Sequence, residues 1–128
     1  MTGLVIIDDS SRWIHRVVSV VAEIPGLVVL GSAGTPSGAL ELVSRLRPPI
    51  MILDLSLSGG SGVDVLKKLD PRGAGDIRVV VVTGSPSSRL RQVCFESGAR
   101  YFFDKAFEFD LLEDALRSLR DEVSLSPE

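Results

Sequence analysis

Cysteine, histidine, tryptophan and tyrosine each occur once in the 128 residues. A lone Cys94 excludes a disulfide framework, and without a Cys/His cluster there is no zinc site, so a reducing compartment fits best. An excess of positive charge is also missing. Fourteen Lys and Arg against seventeen Asp and Glu give a formal charge of -3, which argues against the basic face of a general nucleic-acid binder. Long apolar runs are absent too, and the opening MTGLVIIDDSS is too short for a signal h-region or a membrane span. Nor is there an internal repeat, a low-complexity tract or a linker to a second domain. These absences lead us to expect a cytoplasmic protein with no direct nucleic-acid or membrane contact. They also suggest one domain over 1–123, followed by a short tail, 124–128, that should fray. What is present, 45% hydrophobic residues, suffices to bury a core without a covalent staple.

Short Val- and Ile-rich runs alternate with longer stretches of helical period, the pattern of a parallel α/β sheet. Strands are expected at 4–7, 27–30, 50–53, 77–82 and 100–103. Three of these (LVII, IMIL, IRVVVV) are continuously apolar but for Arg78, as expected where helices cover both faces. Helices are expected from about Ser11 to Ile24, Pro36 to the Pro48-Pro49 stop, Gly62 to Leu69, Pro86 to Ser97, and Glu108 to Arg120. The breaker-rich DPRGAGD should end the third, and Gly98 should close the fourth in a left-handed conformation. Five strands alternating with five helices suit a flavodoxin-like doubly wound sheet of order 2-1-3-4-5. Ligands of such sheets sit beyond the carboxyl ends of the strands.

At that edge the chain concentrates its chemistry. The first strand leaves into Asp8-Asp9, the third into Asp54, the fourth into Thr83-Gly84 and the fifth into Asp104-Lys105. Three carboxylates about 5 Å apart repel by roughly 3 kcal/mol per ionised pair at an effective dielectric near 20. Such a cluster calls for a cation, and hard oxygen ligands on a small open site favour a magnesium-like ion. That ion, the Lys105 ammonium, the Thr83 hydroxyl and backbone N–H groups after Asp54 and Thr83 form a phosphate-binding set. An aspartate at its centre could act as a nucleophile and form an aspartyl phosphate.

The motifs IIDDS, ILDLSLSGGSG, VVVVTGS and GARYFFDKAF stand in this order at successive strand ends, and over essentially its whole length the chain resembles the receiver domains of two-component response regulators. The resemblance implies that Asp54 accepts a phosphoryl group from a sensor histidine kinase or phosphotransfer protein. It implies a Mg2+ ion held by Asp9, Asp54 and the Ser56 carbonyl, with Asp8 acting through a water. Lys105 and the backbone N–H groups of Ser56 and Gly84 would contact the phosphoryl oxygens. Thr83 would swing towards the phosphoryl group and Phe102 would turn inward. The surface of the fourth and fifth helices and the last strand would then repack for a downstream protein or for dimerisation.

Three positions depart from the commonest pattern of that family. Ser58 and Ala106 stand where prolines are usual, and Phe102 replaces a tyrosine. The proline at the second position often follows a cis peptide, whereas a cis bond before alanine costs roughly 3–4 kcal/mol. The departures bear on geometry and keep open a phosphorylation-independent pseudo-receiver. A magnesium-dependent phosphohydrolase is disfavoured, because a second acid two residues after the nucleophile would be needed and Ser56 stands there. Plainer roles are also available. Asp8 and Asp9 could cap the first helix, His15 should be an exposed bystander, and Cys94 should be inert core. Trp13 should be partly buried where it can report on a bound metal. Phe95 and Tyr101 are candidates for a partner face, and GSAGTPSG reads as an ordinary loop.

Overall fold

The computed structural model describes residues 1–69 and 77–125. Five parallel strands form one sheet in the order β2-β1-β3-β6-β7: β1 (Thr2–Ile7), β2 (Leu27–Ala33), β3 (Ile50–Leu53), β6 (Arg78–Thr83) and β7 (Tyr101–Asp104). This is the expected doubly wound topology, with two short strands, β4 (Ser56–Leu57) and β5 (Gly60–Ser61), adding a separate antiparallel hairpin. Among the described residues the helices are α1 (Ser11–Ala22), α2 (Pro36–Leu46), α3 (Gly62–Lys68), α4 (Ser88–Glu96) and α5 (Leu112–Leu125), the last preceded by a 3-10 turn (Phe109–Leu111). The DPRGAGD segment and the last three residues lie outside the described residues. α5 continues to Leu125, beyond the expected stop at Arg120.

Alternation along the central strands divides the core in two. Val5, Ile7, Met51, Leu53, Val79 and Val81 face one layer, packed on buried residues of α2, α3 and α4. Leu4, Ile6, Ile50, Ile52, Val80 and Val82 face the other, packed on Val17 and Val21 of α1 and Leu112, Leu116 and Leu119 of α5. Because helices cover both faces, β1, β3 and β6 are apolar through their middle, and polar residues stand only at strand ends.

The helix starts fix how the chain leaves those strand ends. Ser10, not Asp8 or Asp9, caps α1, its hydroxyl accepting from the Trp13 N–H at 3.4 Å. Thr35 caps α2 by accepting from the Gly38 N–H at 3.0 Å, with Pro36 in the first turn. Gly98 ends α4 with φ of 105°, the left-handed position its sequence context anticipates.

Candidate functional site

The parallel register aligns the acids. Ile7 of β1 pairs with Leu53 of β3, and the Asp54 N–H donates to the Ile7 carbonyl at 2.8 Å, so Asp8 and Asp54 leave the sheet side by side. Carboxylate oxygens of Asp8, Asp9 and Asp54 lie within 4.8 Å of one another. Asp8 and Asp54 are buried and Asp9 is exposed. The Lys105 ammonium bridges the two buried acids, 2.8 Å from Asp8 Oδ2 and 3.1 Å from Asp54 Oδ2. The other oxygen of each acid accepts a backbone N–H two residues on: Ser10 to Asp8 at 2.9 Å and Ser56 to Asp54 at 3.2 Å.

The β4–β5 hairpin carries the chain away from Asp54. Its turn at Ser58-Gly59 has Gly59 at φ of 81°, which only glycine adopts freely. The Gly62 N–H donates to the Leu55 carbonyl at 2.9 Å, so the next pair, Ser56 and Ser61, is the one that exchanges no ladder bonds. Both backbone groups of Ser56 are thus available to the site; its N–H goes to Asp54 and its carbonyl stays outside the ladder. Ser58 closes the rim, its hydroxyl donating to Asp9 Oδ2 at 3.2 Å and its N–H to the Gly34 carbonyl at 3.1 Å. A proline here could not make the second bond.

On the far side Thr83 is 1% exposed, and its hydroxyl oxygen accepts from the Ser85 N–H at 3.2 Å. Gly84 follows on the exposed rim, with open space beside its Cα. The Lys105 N–H donates to the Thr83 carbonyl at 2.8 Å, tying the two together. The Lys105–Ala106 peptide is trans, as are all peptide bonds among the described residues. Asp104 organises this trans turn, accepting from the N–H of Ala106 at 2.7 Å and of Phe107 at 3.3 Å.

Apart from the exposed Phe107, the aromatic residues fall in three places. Phe102 is already buried, its ring 6.5 Å from the half-exposed Phe95, with the Arg91 guanidinium over both rings and donating to the Phe102 carbonyl at 3.4 Å. The inward turn expected of this residue therefore has no outward starting position here. Tyr101 stacks on Phe103. Trp13 is partly buried with the Lys105 ammonium 4.9 Å from its ring centroid, beside the acids as expected. His15 is exposed, and Cys94 is buried with its thiol pKa pushed up by that burial.

Sequence reasoning gave Ser58, Asp104, Glu108 and Gly34 no contact in the site. An added Cβ on Gly34 would meet the Asp9 backbone at 3.2 Å, so the loop read as ordinary packs directly against the acidic pair.

Burial raises the Asp54 pKa above the ordinary aspartate range; the Lys105 ammonium and the Ser56 N–H oppose this, while the Asp8 charge adds to it. An acid with a raised folded pKa contributes stability below its unfolded pKa, near 3.8, and loses it as pH rises through the folded value. Asp54→Asn should therefore melt higher than the native protein at pH 8 in metal-free buffer. The gain should fade as pH falls towards 4 and shrink when magnesium is added. Thermal melts across pH check this, and a variant less stable at pH 8 than at pH 4 relative to native would contradict it.

Residues 4–117 match the family model described as the response regulator receiver domain. Among curated relatives, the response regulator GacA of Pseudomonas aeruginosa is 27% identical over 93% of this chain and 55% of its own length. Sporulation initiation phosphotransferase F of Bacillus subtilis is 32% identical over 62% of this chain and 63% of its own. The chain thus spans under two thirds of either relative. The signal receiver domain of a putative Luxo repressor protein from Vibrio parahaemolyticus superposes with a TM-score of 0.87 at 23% identity, covering 97% of this chain and 93% of that one. With a family match over residues 4–117, most of its length, the chain belongs to the response regulator receiver domains.

Proposed function

We propose that Asp54 accepts a phosphoryl group from a phosphohistidine on a sensor kinase or phosphotransfer protein, and that the resulting acyl phosphate switches a partner-binding face. The observation that carries this reading is the Lys105 ammonium shared between buried Asp8 and Asp54, with the Ser56 N–H on the remaining Asp54 oxygen. In the transfer, an Asp54 carboxylate oxygen bonds to phosphorus as the donor P–N bond breaks. The electron pair leaves on the imidazole nitrogen, which takes up a proton from solvent. Lys105 stays tethered to Asp8 while it meets the new phosphoryl oxygens, and the N–H groups of Ser56 and Gly84 complete the cradle.

The donor set suits Mg2+: three hard carboxylates, one of them exposed at an open rim. Asp9, Asp54 and the Ser56 carbonyl would hold the ion, with Asp8 reaching it through a water. When bound, it neutralises the acids and the phosphoryl oxygens.

The switch begins at Thr83, whose hydroxyl can leave the Ser85 N–H for a phosphoryl oxygen and so pull the turn ahead of α4. Since Phe102 already lies inward, held by Phe95 and Arg91, the signal passes to the face of α4, β7 and α5 through that turn. A downstream protein, or a second copy of the domain, binds there. Among the described residues no helix is long and apolar enough to cross a membrane.

Incubation with magnesium and acetyl phosphate should add one phosphoryl group to the native chain, seen by intact mass, and none to Asp54→Ala. A folded native chain that takes up neither phosphoryl nor beryllofluoride would instead be a phosphorylation-independent interaction domain.

A further inference from the structure

Lys105 needs an anchor on each side. Before it, the ladder bond to the Thr83 carbonyl fixes its N–H. After it, the chain turns sharply through Ala106 and the exposed Phe107 into the 3-10 turn, with a trans peptide and no proline to stiffen it. The Asp104 carboxylate spans this turn by accepting from both Ala106 and Phe107 N–H groups. Glu108 braces Asp104 in return, its carboxylate accepting from the Asp104 N–H at 3.0 Å while its own N–H donates to the Asp104 carbonyl at 2.8 Å. The four bonds form a closed ring of backbone and carboxylate groups around the residue that carries the ammonium.

We infer that Asp104, braced by Glu108, is a positioning residue for phosphoryl transfer: it holds the turn that delivers Lys105 between Asp8 and Asp54. The Ala106 N–H that Asp104 accepts is one a proline would lack, so in this chain a carboxylate does the work of a rigid ring. Both N–H groups converge on the single oxygen Oδ1 of Asp104, so an amide oxygen in the same place can accept both bonds.

This inference rests on the phosphoacceptor reading of Asp54, and the test separates the two. Trp13 is the only tryptophan, and its ring centroid lies 4.9 Å from the Lys105 ammonium, 4.6 Å from the Arg16 guanidinium and 5.5 Å from the Phe109 ring, so its emission reports on the turn and the ammonium it carries without any phosphoryl chemistry. Native protein, Asp104→Ala and Asp104→Asn are compared for Trp13 emission in metal-free buffer and for the rate of phosphoryl uptake from acetyl phosphate with magnesium. Asparagine keeps the acceptor oxygen and loses the charge. Asp104→Ala should take up phosphoryl about tenfold more slowly, with a shifted Trp13 emission, since a displaced catalytic group loses rate steeply with distance. Asp104→Asn should keep the native emission and a rate within about twofold of native. If Asp104→Ala does not fold, Glu108→Ala, which strips only the brace, should move both readouts in the same direction with a rate loss of about threefold. Native rate and emission in Asp104→Ala overturns the inference. So does a slow variant with unmoved emission, or an Asp104→Asn as impaired as alanine. Should the native chain take up no phosphoryl at all, the Asp54 reading fails, and the emission comparison still judges whether Asp104 holds the turn that carries Lys105.

Discussion

Lys105→Met is expected to lower the melting temperature by about 10 °C at pH 8 in metal-free buffer, from a loss of roughly 3 kcal/mol. Methionine matches the stem of the lysine but removes the ammonium that lies 2.8 Å from Asp8 and 3.1 Å from Asp54. All three side chains are nine-tenths or more buried, so neither water nor salt can replace that charge cheaply. Removing one partner of a buried ionic group typically costs 3–5 kcal/mol, and here one acid can escape part of the cost by taking a proton. That escape sets the pH dependence. Lys105 is the main influence holding the Asp54 pKa down; without it burial and the Asp8 charge, both raising, stand less opposed. The deficit should accordingly be largest at high pH and shrink as pH falls and Asp54 protonates. Magnesium should recover part of it, because a divalent ion neutralises the same carboxylates. Phosphoryl uptake should fall by about a hundredfold or more even with magnesium saturating, the usual loss when a charge-stabilising donor is removed. Melts at pH 8 and pH 5, with and without magnesium, together with uptake rates, test both halves. A variant as stable as native at pH 8 without metal would mean that Asp8 and Asp54 are not held by Lys105.

The residues in that argument were legible in the sequence because each stands where a parallel strand of the sheet stops. IMIL is apolar at every position since helices cover both its faces, and Asp54 is the first polar residue after it, still buried but at the strand's end. The same reasoning located Asp8, Asp9, Thr83 and Lys105, and the strand alternation located the core. The bonds that adjust the site were not legible. Ser58 reaches Asp9 across 49 residues and its N–H reaches the Gly34 carbonyl on another loop, and local periodicity carries no trace of pairings at that range. The β4–β5 hairpin has two residues per strand, too short for an alternating pattern to register. Capping of α1 fell to Ser10 and not to the acids, because Asp8 turns back to the Ser10 N–H and to Lys105. Phe102 could be read as a switch aromatic from its position, whereas its inward placement depends on Phe95 and Arg91 one element away.

Gly62→Ala is expected to cost about 3 kcal/mol of stability and about a hundredfold in phosphoryl uptake, more than its single added methyl suggests. Gly62 opens α3 with an ordinary backbone angle, so conformational strain is not its reason for being glycine. Space is the reason. A Cβ there would collide with the Asp54 carbonyl oxygen and press on Leu55 Cα at 2.9 Å and the Asp54 carbonyl carbon at 3.0 Å. All three are backbone atoms, so no side chain can swing aside to make room. Relief would require the Asp54–Leu55 segment to move. That segment is tied on one side by the Asp54 N–H bond to Ile7 and on the other by the Gly62 bond to Leu55. Whatever yields, the carboxylate shifts relative to Lys105 and the Ser56 N–H. Gly59→Ala supplies the contrast, because Gly59 has φ of 81° with nothing within 4 Å of an added Cβ. Its cost is conformational, about 1 kcal/mol, and leaves the Asp54 backbone where it is. Both alanine variants should therefore melt lower than native, and Gly62→Ala alone should lose uptake. Equal uptake in the two would show that the close approach of α3 to Asp54 does not set the position of the nucleophile.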